Sequence, residues 1–155
     1  MDKKIKISIK ILLVIICMAT IFLLSNDNAD KSTKKSDKLI TFCYEKITKK
    51  KVDANIIDKY VHPVRKSAHF IIYLILGLTV ISLLYEFNIS TKNIIIFSIL
   101  FCFIYACSDE IHQLFITGRS GEIKDVFIDT IGSTIGIFIY YFWRKKHGKQ
   151  EKILT

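Results

Sequence analysis

The chain has 155 residues, of which 51% are hydrophobic and 24% charged, and its formal net charge is +9. The apolar residues stand in long runs between charged blocks, whereas a soluble domain of this size interleaves the two at half-buried spacing. Runs of about 20 apolar residues can cross the hydrocarbon core of a bilayer, so the pattern indicates an integral membrane protein and leaves no room for a separate soluble domain. Basic residues flank the runs, and we therefore expect no nucleic-acid partner.

The first apolar run extends from Ile7 to Leu24 and follows a basic start that contains Lys3, Lys4 and Lys6. A basic start before an apolar stretch is also the pattern of a cleaved signal peptide. This run is long for a signal peptide, however, and it ends in the segment LLSND at residues 23–27, which is a poor cleavage site. We therefore predict a retained first transmembrane helix over about residues 7–25.

A polar, lysine-rich connection follows, from residue 26 to residue 64. Within it Leu39, Phe42, Cys43 and Ile47 recur at helical spacing, with charged residues elsewhere around the helix. This pattern predicts an amphipathic helix that either lies at the membrane surface or packs on the outer ends of the spans, and the pattern does not distinguish the two. Pro63 comes near the end of the connection, a position acceptable close to a helix start.

Three further apolar runs predict helices over about residues 67–85, 93–115 and 123–143. The turn at residues 86–92 is short, so the first two of these helices form an antiparallel hairpin, and the segment 117–121 has turn chemistry. The predicted fold class is all-α, with four transmembrane helices in one domain over residues 1–155 and both termini on one side. The four cysteines form no C-x-x-C pair, so we expect no disulfide framework, no metal site and no cofactor.

The basic residues give conflicting evidence on orientation. The N-terminal lysines and the basic C-terminal tail place both termini in the cytoplasm by the positive-inside rule. The lysine-rich connection 26–64 would then lie outside, against the same rule. We give priority to the N-terminal cluster because the first helix usually dominates, and we expect a multi-pass protein of the cell membrane with cytoplasmic termini.

The ionisable residues near the spans gather on one membrane face, which is the outer face in this orientation. Antiparallel threading brings together the start of the second span, the end of the third and the start of the fourth. An ionisable group at the centre of a span costs ~2.5–3.5 kcal/mol, so each needs a partner, water or a place near the interface. The predicted cluster consists of Arg65, Lys66, His69, Tyr73, Asp109, Glu110, Gln113, Arg119, Asp125 and Asp129.

Spacing within each helix supports this convergence. Arg65, His69 and Tyr73 are four residues apart and share one stripe, as do Asp109 and Gln113. A further stripe runs down the last span into a small-x-x-x-small pattern that allows close helix approach, and its members are Asp125, Asp129, Gly132 and Gly136. Gly77 offers a similar small surface in the second span.

Three interpretations of the cluster stay open at this point. The first is a salt-bridge network that holds the bundle together, with Arg65 and Arg119 against the carboxylates, since buried charges persist only when paired. The second is a recessed pocket in which the arginines and a histidine bind a phosphate or carboxylate headgroup. The third is a catalytic or metal site built from His69, Asp109 and Glu110 with Asp125, which no H-x-x-E-H or D-x-D spacing supports.

Three segments of the chain resemble the hallmark motifs of the VanZ-like family. They are VRKSAHFIIY at residues 64–73, SDEIHQLF at residues 108–115 and GRSGEIKDVFIDTIG at residues 118–132. Their order and their placement between spans make the combination specific, and the resemblance covers about residues 22–136. The motif residues carried over by position are Arg65, Lys66, His69, Phe70, Tyr73, Asp109, Glu110, Gln113, Phe115, Arg119, Asp125, Asp129 and Gly132.

The resemblance implies a small membrane protein of a Gram-positive-type cell envelope, because the namesake of the family is associated with low-level resistance to the glycopeptide teicoplanin. It implies no particular reaction. Two positions depart from the family pattern. Ile72 stands where members usually have Glu, and Asn26–Asp27 replaces a usual Ser–Gln pair after the first span. A missing carboxylate favours binding over catalysis, unless Asp27 or a carboxylate of the third span substitutes for it.

The expected function is therefore binding of an anionic envelope component at the outer interface, which alters glycopeptide susceptibility. The expected partners are membrane lipids, and beyond them a lipid-linked cell-wall precursor or another envelope protein. One alternative is an intramembrane enzyme that acts on such a headgroup, with His69, Asp109 and Glu110 as catalytic candidates. Another is a structural or accessory partner of an envelope protein.

Overall fold

The computed structural model describes residues 2–151, with side chains at all of these positions except 29, 30 and 148–151. Five helices account for the described chain, which contains no strand. They are α1 (Lys3–Ser25), α2 (Ala29–Thr48), α3 (Ala54–Leu84), α4 (Thr91–Gln113) and α5 (Ile123–Glu151). Four of them, all but α2, are long and apolar enough to cross a membrane. The predicted all-α class and the predicted four spans are confirmed.

Several helix starts and one turn follow from local side-chain chemistry. Asp2, Asn28 and Ser90 precede α1, α2 and α4, and each accepts a hydrogen bond from a backbone N–H in the first turn of its helix. Such caps satisfy donors that have no intrahelical partner. Between α4 and α5 Gly118 has a φ of 76°, a conformation that glycine adopts without the steric cost that a Cβ brings.

The second span begins earlier than the sequence predicted. α3 starts at Ala54, not near Ser67, and continues through Pro63. Proline lacks the N–H that would bond to the carbonyl four residues before it, so the pattern favoured a helix boundary there. Ile56 and Ile57 are half-buried, and α3 packs against α2. Tertiary packing therefore offsets the missing hydrogen bond, and Arg65 lies within a continuous helix.

The most extensive helix pair in the bundle is α3 with α5. Gly77 faces the backbone of Ser133, and Gly136 faces the backbone of Leu74, so closely that an added Cβ would overlap the carbonyl oxygen in each case. A Cβ added at Gly132 would lie 2.7 Å from the carbonyl oxygen of Phe70. The glycines that the sequence pattern singled out are thus the positions at which these two helices touch backbone to backbone.

Apolar side chains cover the outside of the bundle. Leu12 on α1 is 56% exposed, Ile104 on α4 58% and Ile139 on α5 50%. Exposed apolar surface on this scale is unfavourable in water but is what a helix presents to lipid. The exposure pattern therefore agrees with the span assignment, and the chain is a multi-pass membrane protein.

The amphipathic helix in the connection is confirmed as α2, although its apolar stripe does not pack on the spans. Leu39, Phe42 and Ile47 are 52%, 63% and 81% exposed. The face turned toward the bundle instead carries Ile40, which is 7% exposed, together with two buried serines. An exposed apolar stripe beside lysines is what a helix at a membrane surface presents, so this arrangement favours the surface interpretation over the packed one.

Helix α1 is joined to the rest of the bundle along its length. The hydroxyl of Tyr105 on α4 donates a hydrogen bond of 2.7 Å to the carbonyl of Met18. At the N-terminal end, the Lys10 ammonium donates to the carbonyl of Ser82 at 2.8 Å and pairs with Glu86. That pair lowers the pKa of the Glu86 carboxyl. These contacts give α1 a structural role in the bundle, and its retention in the mature protein stays a prediction.

Candidate functional site

The polar cluster forms where four helix segments meet: the end of α1, the middle of α3, the end of α4 and the start of α5. Antiparallel threading of the spans accounts for this meeting point, because consecutive spans alternate in direction. Asp109, Glu110, Gln113 and Asp129 are each at most 6% exposed, although all four are polar or charged. Burial of this kind requires partners, and the partners differ from residue to residue.

Gln113 connects the two acidic residues of α4. Its amide nitrogen donates to Asp109 Oδ2 at 3.2 Å and to Glu110 Oε1 at 2.9 Å. Ser25, the last residue of α1, donates its hydroxyl to Asp109 Oδ2 at 2.9 Å. The backbone N–H of Glu122 donates to Glu110 Oε2 at 2.9 Å. Asp109 and Glu110 are therefore held by neutral donors, and no Lys or Arg forms an ion pair with either one among the described side chains.

Arg119 ties the α4–α5 connection to the end of α1. Its Nε donates to the carbonyl of Asp27 and one terminal nitrogen donates to the carbonyl of Leu24, both at 2.9 Å. The other terminal nitrogen donates to Gln113 Oε1 at 3.0 Å. Partial burial lowers the pKa of the guanidinium, which nevertheless stays charged at any physiological pH. Three hydrogen bonds to two helix ends give this residue a structural role.

Lys66 takes the ion pairs that the sequence analysis had assigned to arginines. Its ammonium lies 2.5 Å from Asp125 Oδ1 and 3.2 Å from Glu122 Oε2. Arg65 forms no ion pair and no hydrogen bond with the residues whose side chains the structure describes. The expected network of Arg65 and Arg119 against the carboxylates is thus replaced by a lysine pair on one side and carbonyl contacts on the other.

Asp129 and Tyr73 are the most deeply buried members of the cluster. Asp129 is 1% exposed and Tyr73 fully buried. Both carboxylate oxygens of Asp129 and the Tyr73 hydroxyl lack a hydrogen-bond partner within the described part of the chain. The nearest basic group is the His69 imidazole, whose Nδ1 lies 3.9 Å from Asp129 Oδ2. That distance is too long for a hydrogen bond, so neither oxygen of Asp129 has a hydrogen-bond partner among the described residues.

Two cavities adjoin at Arg65 and His69. The smaller cavity, which we call the acidic cavity, has a volume of about 10 Å³, enough for about one water molecule or ion. Its lining contains seven of the ten residues that the sequence analysis placed in the cluster. The residues that line it are Arg65, Lys66, His69, Glu110, Gln113, Asp125, Ile128 and Asp129.

The larger cavity, which we call the headgroup cleft, has a volume of about 140 Å³ and opens between α2 and α3. Its lining includes three basic residues, Lys35, Arg65 and Arg119. The remaining lining consists of Leu24, Asp27, Ser32, Ser36, Leu39, Val64, Ala68 and His69. No residue of α2 was predicted to belong to the site. Ser32 and Ser36 stand four residues apart on one helix face, and this spacing was the available signal for a polar face of α2.

Asp27 lines the headgroup cleft and forms ion pairs with two lysines of α2. Its carboxylate pairs with Lys31 at 2.8 Å and with Lys35. Hydrogen bonds from Lys31 and Lys35 lower the pKa of the Asp27 carboxyl below its ordinary value. Asp27 therefore neutralises two lysines of α2 and does not substitute for a carboxylate beside Arg65 or His69.

Other motif positions lie outside the two cavities. Ile72, which stands in place of the family's usual Glu, packs against the buried apolar core. His112 stacks on Phe22 with ring centroids 4.7 Å apart. Phe115 is 80% exposed. A carboxylate at position 72 would face apolar side chains here, so its absence leaves no gap in the site.

Comparison with known proteins supplies one match. The family model described as VanZ/LLP1 matches residues 10–144, nearly the whole chain. No curated protein matches the chain significantly. No solved structure matches it significantly either. The family match includes all ten residues of the predicted cluster and the glycines of the α3–α5 contact.

Proposed function

The chain belongs to the VanZ/LLP1 family, and from that premise we propose that it binds the phosphate headgroup of an anionic envelope lipid or lipid-linked precursor in the headgroup cleft. Binding of such a component alters glycopeptide susceptibility, including susceptibility to teicoplanin. One observation carries the proposal: the side chain of Arg65 lines a 140 Å³ cavity, and its guanidinium makes no ion pair with the side chains described. A planar guanidinium with unused donors is suited to bidentate contact with phosphate.

The surroundings of Arg65 fit an amphipathic ligand. Lys35 and Arg119 also line the cleft, where Lys35 pairs with Asp27 and Arg119 bonds to carbonyls, and Ser32 and Ser36 add hydroxyl groups. Leu24, Leu39 and Val64 form the apolar part of the lining, which suits the glycerol or acyl portion of a lipid. Sites of this composition, apolar with a few convergent polar groups, are typical of ligand pockets.

Lipid binding by purified protein tests the proposal. The full chain is prepared in phosphatidylcholine nanodiscs and titrated with dioctanoyl phosphatidylglycerol or with farnesyl diphosphate, and bound ligand is counted by native mass spectrometry. The wild type should bind at least one probe in preference to dioctanoyl phosphatidylcholine. Arg65→Lys should weaken binding about tenfold, because one bidentate contact contributes about 1.4 kcal/mol or more, and Arg65→Gln should weaken it further.

Arg144→Gln is the matched control. Arg144 lies at the opposite end of the bundle, where its guanidinium stacks 4.4 Å from the centre of the Tyr85 ring, so its loss should leave probe binding unchanged. The same variants expressed in cells should show parallel changes in teicoplanin susceptibility. Equal binding by the wild type and Arg65→Gln would overturn the proposal. Preferential binding of dioctanoyl phosphatidylglycerol would indicate a bulk lipid as the ligand. Preferential binding of farnesyl diphosphate would indicate a lipid-linked precursor.

A second candidate function, catalysis on the headgroup, rests on the position of His69. This residue lines both cavities and lies 3.9 Å from a buried carboxylate, and a histidine beside a carboxylate is suited to act as a general base. An enzyme would release a modified probe during the titration, and His69→Gln would abolish that release while binding persisted. Unchanged recovery of both probes excludes catalysis on them.

A further inference from the structure

We propose that His69, Asp109 and Asp129 form a binding site for a divalent transition-metal ion such as Zn²⁺ or Mn²⁺, below the headgroup cleft. The three side chains come from α3, α4 and α5, and each offers one donor atom within 4.8 Å of the other two. The site rests on its own residues and does not require that the cleft bind an anion.

The buried carboxyl groups of this region have few cationic partners. Asp109, Glu110 and Asp129 are at most 6% exposed, yet no lysine or arginine, Arg65 included, forms an ion pair with any of the three among the described side chains. Lys66 pairs with Asp125 and Glu122, and Arg119 donates to two carbonyls and an amide. An unpaired carboxylate inside a membrane protein costs several kcal/mol, so uncompensated negative charge here is unfavourable without a bound cation or proton.

Asp129 is an independent indication of a ligand. Its two oxygens are buried and without a hydrogen-bond partner in the described part of the chain, which is rare for a buried carboxylate. Asp109 differs, since only its Oδ2 accepts hydrogen bonds and its Oδ1 stays available. The acidic cavity, which has room for about one ion, lies beside Asp129 and His69.

The donor set points to the class of ion. Zn²⁺ binds imidazole nitrogen and carboxylate oxygen at about 2.0–2.2 Å, which places tetrahedral donors about 3.4 Å apart. Donors within 4.8 Å of one another reach that spacing by small side-chain rotations. An imidazole among the ligands favours Zn²⁺ over Ca²⁺ and Mg²⁺, which prefer oxygen, whereas the two carboxylates also suit Mn²⁺. A fourth position would stay open toward the acidic cavity.

Metal uptake by the purified full chain tests the site, without any anionic lipid. The protein in dodecyl maltoside is stripped with chelator and dialysed against Zn²⁺ or Mn²⁺, and bound metal is measured by elemental mass spectrometry. We expect about one ion per chain for the wild type. His69→Gln and Asp129→Asn should each weaken uptake tenfold or more, a loss typical of a removed ligand. Co²⁺ provides a second readout, since its visible absorption bands report the same nitrogen and oxygen ligands.

Matched controls lie on the exposed first part of α3. His62→Gln and Asp58→Asn remove the same side-chain types from exposed positions and should leave uptake unchanged. Asp129→Asn also removes a buried charge, so its thermal stability without metal should rise and its stabilisation by Zn²⁺ should disappear. If the wild type takes up no ion, or if the His69→Gln and Asp129→Asn variants bind as it does, the site is refuted and Asp129 holds a proton instead. Because uptake is measured without any anionic lipid, failure of the metal site and failure of the headgroup proposal are distinguishable.

Discussion

Replacement of Arg119 with Gln should destabilise the protein far more than the same replacement of Arg65, although both arginines belong to the polar cluster. Arg119 donates three hydrogen bonds, two of them to carbonyls at the end of α1 and one to Gln113. Arg65 donates none to the residues whose side chains are described. The two substitutions remove the same charge from neighbouring positions, so the difference between them isolates the hydrogen bonds.

The magnitude follows from those contacts. A hydrogen bond from a charged donor contributes about 1.5–3 kcal/mol, and an unsatisfied buried acceptor costs a similar amount. Arg119 is half-buried, so water replaces part of what the substitution removes. We therefore expect Arg119→Gln to lower the free energy of unfolding by about 3 kcal/mol, and Arg65→Gln to change it by less than about 0.5 kcal/mol.

Thermal unfolding in detergent measures this difference. Cys17 and Cys102 are buried, so a dye that fluoresces on reaction with thiols reports their exposure, and Cys43→Ser removes the exposed thiol from the background. At about 2–4 °C per kcal/mol for a chain of this size, Arg119→Gln should lower the Tm by about 6–12 °C. Equal melting temperatures for the two arginine variants would refute the structural role of Arg119, and a lower Tm for Arg65→Gln would refute its role as a free binding group.

Three further substitutions test other contacts with the same assay. Gly136→Ala should destabilise the bundle by about 1–3 kcal/mol because its Cβ would overlap the backbone of Leu74, and a more stable variant would show that α3 and α5 can separate. Tyr105→Phe should cost about 1 kcal/mol through loss of its bond to Met18, and an unchanged Tm would contradict that. Asp27→Asn should cost up to about 1 kcal/mol at neutral pH. The pKa of Asp27 is lowered on folding, so the stabilisation by Asp27 is present above the ordinary carboxyl pKa and should fade below about pH 4. A difference in Tm between Asp27→Asn and the wild type that persisted in acid would contradict the ionic origin of this stabilisation.

The spans and their order could be predicted because the bilayer imposes a length and an apolar composition on each one. Convergence of the polar residues on one face also followed from the sequence, since consecutive spans must alternate in direction. The start of α3 could not be predicted, because Pro63 favours a helix boundary locally and only the tertiary packing that half-buries Ile56 and Ile57 overrides it.

The pairing within the site depended on the tertiary structure. Helical spacing and antiparallel threading place Arg65, His69 and Asp129 at the same end of the bundle, but they do not tell which charge contacts which carboxylate. Rotation of the helices about their own axes decides that, and the close contact of α3 with α5 at Gly136 sets this rotation. The sequence by itself therefore determined which residues gather and on which end of the bundle. Only the packed structure decided that Lys66 takes the ion pairs, that Arg65 faces a cleft, and that Asp129 is buried without a partner, because these outcomes depend on distances between side chains of different helices.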